Sequence, residues 1–356
     1  MAVEYPQSTN EKLRDSLLRH QILVAGFATG VVREQVRLLE EARKDIRAQI
    51  AGILTELSGE SPRPQGIRLS RLRELERDVG ERIDSAYMTI GKTTETSLIA
   101  FSLAEASFAV SSLNDASPIS LGVKIAPDGV INQLISKVPF EGQLLSEWYE
   151  SLSNTEKERA NRAIRMGVVQ GESIPEITRR VSDGLRMGQR QSSAIARTAV
   201  HHVTTRAKEA VYERNIDILR GVQMVATLDG RTTPFCRRID GKVFAPKVGA
   251  RPPFHFQCRT TTIPVVKKLS ELGIRGAPTT DLVSLRSSLN GYVASDTTYK
   301  QWFKTQSSSF QKEVLGRSRY KLYRRGLTDI TRYADRRGRL YTLDQLYQRE
   351  REFSLN

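Results

Sequence analysis

A helical spacing of apolar residues near the start of the chain constrains its fold more than any other feature. Within residues 9–57, apolar side chains recur three, four and seven positions apart, at Val32, Leu39, Ala42, Ile46, Ile50, Ile53 and Leu57. The opposite face carries Arg33, Glu40, Arg43, Lys44 and Arg47. The pattern predicts one long amphipathic helix, or two joined ones, whose apolar stripe packs against other helices.

Further helices are predicted along the first two thirds of the chain. One stretch places Leu72, Leu75, Val79, Ile83, Tyr87 and Ile90 on one face, and an Ala-rich stretch covers residues 96–113. Residues 147–170 form another, and Ser173-Ile-Pro-Glu opens the next with a cap, a first-turn proline and a glutamate three residues later. A separate helix is predicted over residues 191–215. Residues 114–142 hold three prolines and are predicted to be an irregular linker.

The periodicity changes after Gly221. Residues 222–228, 242–244 and 259–265 read as short strands, and the last sixty residues return to helix with breaks at Gly326 and Gly338. We therefore predict a mainly α protein with a small β subdomain (α+β). Its predicted domains are a helical N-terminal domain (1–142), a module of helices plus a small β unit (143–266), and a basic helical C-terminal segment (267–356).

Positive charge is concentrated in two segments. The chain has 55 Lys+Arg against 40 Asp+Glu, a net charge of +15. Residues 179–259 hold 16 basic and 6 acidic side chains, and residues 300–356 hold 14 and 6. Such a surplus favours a polyanionic partner, either nucleic acid or an acidic protein surface. The alternative is that some of the arginines pair with backbone carbonyls and carboxylates inside the protein, and that the others lie on a face exposed to solvent. Arg336, Arg337 and Arg339 form the candidate nucleic-acid-binding cluster.

Two cysteines in 356 residues argue against a secreted scaffold built on disulfides. The N-terminus, MAVEYPQSTNEK, lacks the basic start and apolar run of a signal peptide. No uncharged apolar run reaches the roughly 18 residues that would cross a bilayer. We therefore expect a protein made in a cytoplasm, with no membrane partner.

Both cysteines lie in the stretch LDGRTTPFCRRIDGKVFAPKVGARPPFHFQCRT, residues 228–260. Cys236, His255 and Cys258 are residue types that bind zinc, and the last two have an H-x-x-C spacing that can aim both at one ion. Pro252 and Pro253 stiffen the approach. Structural zinc usually takes four ligands, and the fourth is sought among Asp229, Asp240, His201 and His202. The trio therefore has three interpretations: a zinc site, thiols packed beside a histidine, or a Cys236–Cys258 disulfide formed after exposure to an oxidising medium.

Catalytic roles for the same residues are weaker interpretations. Cys236 lies near Arg231, Arg237 and Arg238 in sequence, which would lower its pKa, and His255 is a candidate base. However, neither an oxyanion hole nor an orienting third residue can be identified. Asp229-Gly-Arg231 is predicted to be a turn in which the aspartate accepts backbone or arginine hydrogen bonds.

His201 and His202 are adjacent within a predicted helix and point about 100° apart. They are therefore expected to divide between the surface and the core of the protein, rather than to bind one ion together.

Several of these elements occur together in a recognisable order. IARTAVHHVTTRAKEAVYERN, a strand, D-x-R-T-x-x-x-C, D-G-K and P-P-x-H-x-x-C-R resemble the phage Mu F-like family of minor head, or head morphogenesis, proteins. The later segments YKQWFKTQSSSFQKEVLGRSRYKLYRRG and DRRGRLYTLDQL are similar to the segment C-terminal to this module in many phage head proteins. The resemblance covers roughly residues 147–346. It departs from the family at Thr260, which stands where a further cysteine is typical and leaves one potential metal ligand fewer.

The resemblance carries over to the motif positions Asp229, Arg231, Thr232, Cys236, Gly241, Pro252, Pro253, His255, Cys258 and Arg259. It implies a structural virion protein, not an enzyme, that acts in the host cytoplasm during assembly and then in the phage head or at the portal vertex. The implied partners are the portal protein, major capsid or scaffold proteins, and double-stranded DNA bound without sequence preference. Rival interpretations are a metal- or thiol-dependent enzyme, nuclease-like and centred on Cys236, His255 and Cys258, and a DNA-binding regulator that uses the 191–215 helix.

Overall fold

A computed structural model of the chain describes residues 9–58, 69–272, 285–326, 329–335 and 339–354. Its larger part is a bundle of long helices, and its smaller parts are a three-stranded sheet and a C-terminal unit. The mainly α fold with a small β subdomain is confirmed.

Four long helices and one short helix make up the bundle. They are α1 (Thr9–Ser58), α2 (Leu69–Ala116), α3 (Asp128–Lys137), α4 (Leu145–Val169) and α5 (Ile174–Arg214). The apolar stripe predicted for α1 faces inward, since Ile46 and Ile50 are buried in one core with Ile83 of α2 and Ile164 of α4. Burial of these stripes is the main force that holds the bundle together.

A buried polar hub fixes how the four long helices meet. The Gln35 amide in α1 donates hydrogen bonds to Thr94 Oγ1 of α2 at 2.8 Å and to Tyr149 Oη of α4 at 2.5 Å. The Gln35 carbonyl accepts a hydrogen bond from Ser192 Oγ of α5 at 2.7 Å. Because each buried polar atom needs its partner, sliding any helix by one turn would leave this hub unsatisfied.

The structure corrects three predictions about helix boundaries. The stretches predicted from Leu72 and over residues 96–113 are one helix, α2, and the helices predicted from Ser173 and over residues 191–215 are one helix, α5. The predicted linker 114–142 contains α3, whose Ile131 and Leu134 are buried. Packing between helices explains why α2 continues through Gly91. This glycine lies against α4, since a Cβ added to it would be 3.5 Å from the Tyr149 ring.

Part of α2 is apolar enough, by length and composition alone, to cross a membrane. The stretch packs instead within the bundle, where α2 contacts α1, α4 and α5. It also carries the buried Glu105, which pairs with His20 of α1 at 2.5 Å. The bundle therefore buries part of this apolar stretch.

The β unit is an antiparallel sheet of β1 (Leu219–Val225), β2 (Val243–Phe244) and β3 (Thr261–Val266), with β1 in the centre. A one-and-a-half-turn helix, α6 (Pro234–Ile239), lies between β1 and β2. The bundle covers one edge of the sheet, because the Asn10 side chain of α1 bonds both the N–H and the C=O of Val266. The three predicted strands are thus present, each within a few residues of its predicted place.

The C-terminal unit differs from the helical segment predicted for residues 267–356. It contains a short 3-10 helix (Leu269–Leu272) and a hairpin of β4 (Leu285–Ser288) and β5 (Gly291–Ala294). These are followed by α7 (Tyr299–Lys304), α8 (Ser308–Arg324), a second 3-10 helix (Ile330–Arg332) and α9 (Leu343–Ser354). The predicted break at Gly326 is present, with φ at +70°. Gly338 lies outside the described residues.

Buried clusters show how these parts are connected. Bundle residues such as Leu13 and Leu113 share a core with Val222 and Val266 of the sheet. The C-terminal unit has its own core around Tyr299, Trp302 and Phe303. The aromatic side chains of this unit therefore serve mainly in packing. The domain boundaries at residues 142 and 266 stay predictions.

Candidate functional site

The predicted Cys/His trio meets in space beside α6. Thr233 caps this helix and Pro234 starts it, so Cys236 lies in its first turn with its side chain buried. Cys236 Sγ is 3.9 Å from Cys258 Sγ and 3.4 Å from His255 Nε2. The three ligand atoms all lie within 4.8 Å of one another.

The environment of the trio is apolar on one side and hydrogen-bonded on the other. Phe235 and Phe254 pack edge to face with each other and lie against the buried cysteines. His255 is half-buried, and its Nδ1 lies 2.9 Å from the Phe256 carbonyl. A proton on Nδ1 that is donated to this carbonyl leaves the lone pair of Nε2 facing Cys236 Sγ and the Thr233 hydroxyl, which is 3.1 Å away. Both cysteines are free thiols.

The two thiols differ in acidity because one donates to the other. The hydrogen bond to Cys258, together with burial, raises the pKa of the Cys236 thiol well above its usual range. The same hydrogen bond lowers the pKa of Cys258, and bonds from His201 and His255 act in the same direction. The arginine-activated Cys236 considered from sequence is therefore not supported. Arg237 instead stacks on the Tyr299 ring and donates to the Gly230 carbonyl.

Each of the four candidate fourth ligands has another partner. Asp229 pairs with Arg259, Asp240 pairs with Arg286, and His201 Nε2 lies 2.7 Å from the Thr260 carbonyl. His202 packs against the Phe140 ring, and burial lowers its pKa to about 3. The expectation that one histidine of this pair lies on the surface was wrong. Both are buried, because the bundle and the β unit enclose α5 from different sides.

Asp229 forms the predicted turn. Its Oδ1 accepts hydrogen bonds from the backbone N–H of Arg231 at 3.0 Å and of Thr232 at 3.1 Å. Arg259 binds the carboxylate with two nitrogens, one of them 2.8 Å from Oδ1. Burial alone would raise the pKa of Asp229, but the hydrogen bonds and charge of Arg259 outweigh it and the pKa is lowered. The pair links the turn after β1 to the segment just before β3.

Asp240 is the junction between the β unit and the C-terminal unit. Its fully buried carboxylate accepts from the Ala226 N–H at 2.7 Å and the Tyr299 N–H at 2.6 Å. Arg286 of β4 donates two more hydrogen bonds to it, at 2.8 and 3.1 Å. Sequence reasoning missed Arg286 and Tyr299, since no local pattern links them to an aspartate some fifty residues earlier.

The remaining motif positions shape the backbone. Gly241 has φ at +79°, and a Cβ there would lie 2.9 Å from Thr298 Cγ2. The position therefore requires glycine. The Pro252–Pro253 peptide bond is cis, and Pro252 is buried in the loop that leads to His255.

A cleft of about 660 Å³ opens next to the trio, between α1, α5, the sheet and β4. Its charged lining residues are all arginines: Arg197, Arg231, Arg259 and Arg286. Arg259 and Arg286 hold Asp229 and Asp240, whereas Arg231 is exposed and Arg197 half-buried, and neither makes an ion pair within the described chain. The cleft has the charge of an anion site. Arg197 was not singled out from sequence, although it belongs to the helix motif IARTAVHHVTTRAKEAVYERN.

Of the predicted nucleic-acid cluster, only Arg339 is described. Its side chain is 74% exposed and pairs with Asp335 at 3.0 Å. Arg336 and Arg337 lie outside the described residues. The cluster stays a prediction.

Comparison with known proteins gives one match. Residues 158–263 match the family model of phage Mu protein F like proteins. The match begins within α4 and ends in β3, so it covers α5, the trio, the Asp229 turn and Gly241. No curated protein and no solved structure matches the chain. The resemblance seen in the sequence is confirmed for residues 158–263, which are similar to phage Mu protein F like proteins.

Proposed function

We propose that the protein is a structural minor head protein of a tailed phage, which binds the portal or the inner capsid and contacts packaged DNA. The observation that carries the proposal is the family match over residues 158–263, which supports a role in phage head morphogenesis. The bundle contains helices of 50, 48 and 41 residues, a length that suits a protein that spans a gap between partners. The matched residues 158–263 include α5 of the bundle and the β unit, and they carry Arg197 and Arg231 at the cleft.

The DNA contact is proposed from the cations that are not used internally. Within the basic segment 179–259, Arg251 pairs with Glu209, Arg259 with Asp229, and the fully buried Lys208 bonds Thr261. Arg197 and Arg231 are left facing the cleft. Phosphate groups packed in a phage head form a dense polyanion, and each cation that neutralises one releases a counterion.

Two neutralised variants test this contact by the salt dependence of duplex binding. The cleft variant carries Arg197→Gln and Arg231→Gln, and the C-terminal variant carries Arg336→Gln, Arg337→Gln and Arg339→Gln. Each lost phosphate contact should make the slope of log K against log salt shallower by about 0.9, equally for all duplex sequences. We expect a change of roughly 2 for the cleft variant and roughly 3 for the C-terminal variant.

The matched control is Arg37→Gln with Arg77→Gln, which removes two exposed charges from α1 and α2. Its slope should stay at the wild-type value. If the slope of log K against log salt is unchanged in both test variants, the proposed DNA contact is wrong. A strong preference for one duplex sequence would favour a regulator instead.

Binding to the portal protein is tested separately, by co-purification of the wild type and the same variants. If one variant loses the portal complex while its DNA slope is unchanged, its arginines belong to a protein contact. If the wild type forms no complex with portal or capsid proteins, the structural assignment fails.

One observation favours a second candidate, a nuclease-like enzyme. Cys258 belongs to the trio and also lines the arginine cleft, so a bound phosphodiester would lie near any metal held there. Cleavage of DNA by the purified protein, abolished by Cys258→Ser, would support the enzyme. We expect no cleavage.

A further inference from the structure

Two separations between ligand atoms of the trio match the ligand geometry of a metal ion. Around a tetrahedral zinc ion, with bonds of about 2.3 Å to sulfur and about 2.05 Å to nitrogen, two sulfurs lie about 3.8 Å apart and a sulfur and a nitrogen about 3.6 Å apart. The observed separations are 3.9 Å for the two Sγ atoms and 3.4 Å for Cys236 Sγ and His255 Nε2. The third pair, Cys258 Sγ and His255 Nε2, lies within 4.8 Å. Two of the three separations thus match those around one tetrahedral ion.

The orientation of the histidine fits the same interpretation. Metal-bound histidines commonly donate their second ring N–H to a carbonyl or carboxylate, which fixes the tautomer. His255 Nδ1 has the Phe256 carbonyl at 2.9 Å for this purpose, so Nε2 faces the sulfurs. Thiols that merely fill an apolar core need no such arrangement, and Val or Ala would serve equally well there.

We propose that Cys236, His255 and Cys258 bind one zinc ion, with a water molecule as the fourth ligand. Among the residues that the structure describes, no further Cys, His, Asp or Glu places a ligand atom in this group. The half-buried side of His255 gives solvent a path to the ion. The ion would tie α6 to the loop before β3, and would thereby hold Arg259 and Arg231 at the rim of the cleft.

The first test uses the full-length wild type, purified under reducing conditions without chelator. Elemental analysis should give about one zinc per chain. Replacement by Co²⁺ should produce thiolate-to-cobalt charge-transfer bands in the near ultraviolet and the intense visible bands of a tetrahedral site. The proposal would be overturned if the purified protein contained no zinc and showed no charge-transfer band on Co²⁺ titration. It would also be overturned if both thiols were found in a disulfide in the protein purified under reducing conditions.

Ligand variants give the second test. Cys236→Ser, Cys258→Ser and His255→Gln should each weaken zinc binding by more than ~100-fold, since even a second-shell change costs about 10–100-fold. The charge-transfer intensity of the two cysteine variants should fall to about half when Co²⁺ is supplied in excess, because one thiolate remains. Full intensity in either cysteine variant would contradict its assignment as a ligand.

Glu141 supplies the matched control. This exposed carboxylate lies near enough to His255 and Cys258 for their charges to affect its pKa, which burial raises. Glu141→Gln should keep the zinc content and the cobalt spectrum of the wild type. Loss of the metal in this variant would show that Glu141, and not water, is the fourth ligand, and would overturn that part of the proposal.

Discussion

Asp240→Ala is expected to lower the free energy of unfolding by about 3–5 kcal/mol, the usual cost of removing one partner of a buried ion pair. The Asp240 carboxylate is fully buried and accepts four hydrogen bonds. Its loss would leave the guanidinium of Arg286, 5% exposed, without a counter-charge. It would also leave the N–H groups of Ala226 and Tyr299 unpaired. Chemical denaturation followed by circular dichroism measures the change.

The variant should open locally, in the C-terminal unit, under conditions in which the helical bundle is still folded. Hydrogen exchange should rise in β4, β5 and α7, which the Asp240 carboxylate joins to the β unit, while α1 and α4 keep their protection. The double variant Asp240→Ala with Arg286→Ala should lose less than Asp240→Ala alone, because no unpaired charge is buried. Asp217→Ala, at a 61% exposed position, is the control and should change stability by less than about 0.5 kcal/mol. An equally small effect at Asp240 would contradict its role as the junction between the β unit and the C-terminal unit.

Gly188→Ala is the second substitution for which we expect a large effect, and here two physical effects oppose each other. Alanine within a helix is intrinsically better than glycine by about 1 kcal/mol. However, a Cβ at Gly188 of α5 would lie 2.4 Å from Tyr87 Oη and 2.8 Å from Glu156 Cδ. Both neighbours are buried, with Tyr87 3% exposed and Glu156 0%. Overpacking typically costs about 1–3 kcal/mol and here should outweigh the gain, so the variant should be less stable than wild type by about 1–2 kcal/mol.

The same helix supplies the control. A Cβ at Gly184 would meet nothing within 4 Å, so Gly184→Ala should stabilise the protein by about 0.5–1 kcal/mol. The two alanine substitutions, four residues apart on α5, should therefore have opposite signs in thermal unfolding. Stabilisation by both would mean that α5 does not approach α2 and α4 closely at Gly188.

Local sequence signals predicted most of the helices and strands. The Ser173 capping box and the apolar stripe of α1 gave correct elements, because these signals act over a few residues. The predicted break before residue 191 was wrong for a reason that lies outside α5. Gly184 and Gly188 weaken the helix locally, but the approach of Tyr87 and Glu156 at Gly188 compensates through packing. Single-helix propensity cannot include that contribution.

Those parts of the site whose residues lie close together in the sequence could be predicted. The H-x-x-C pair and Cys236 were grouped correctly, and Asp229 was placed in its turn. The role of Asp240 was not predictable, because its partner Arg286 lies in a different unit and a buried ion pair leaves no periodic signal. The hairpin that carries Arg286 was missed although Asn290-Gly291 is a common hairpin-turn signal, because its two strands are only four residues long.

The composition of purified phage particles tests the central claim most directly. Quantitative mass spectrometry should be applied to mature virions, to proheads and to the lysate of infected cells. A structural minor head protein should be present in purified particles at a low, fixed number of copies relative to the portal protein. If the lysate contains the protein while proheads and virions both lack it, the protein is not a head component and its assignment as a minor head protein is wrong.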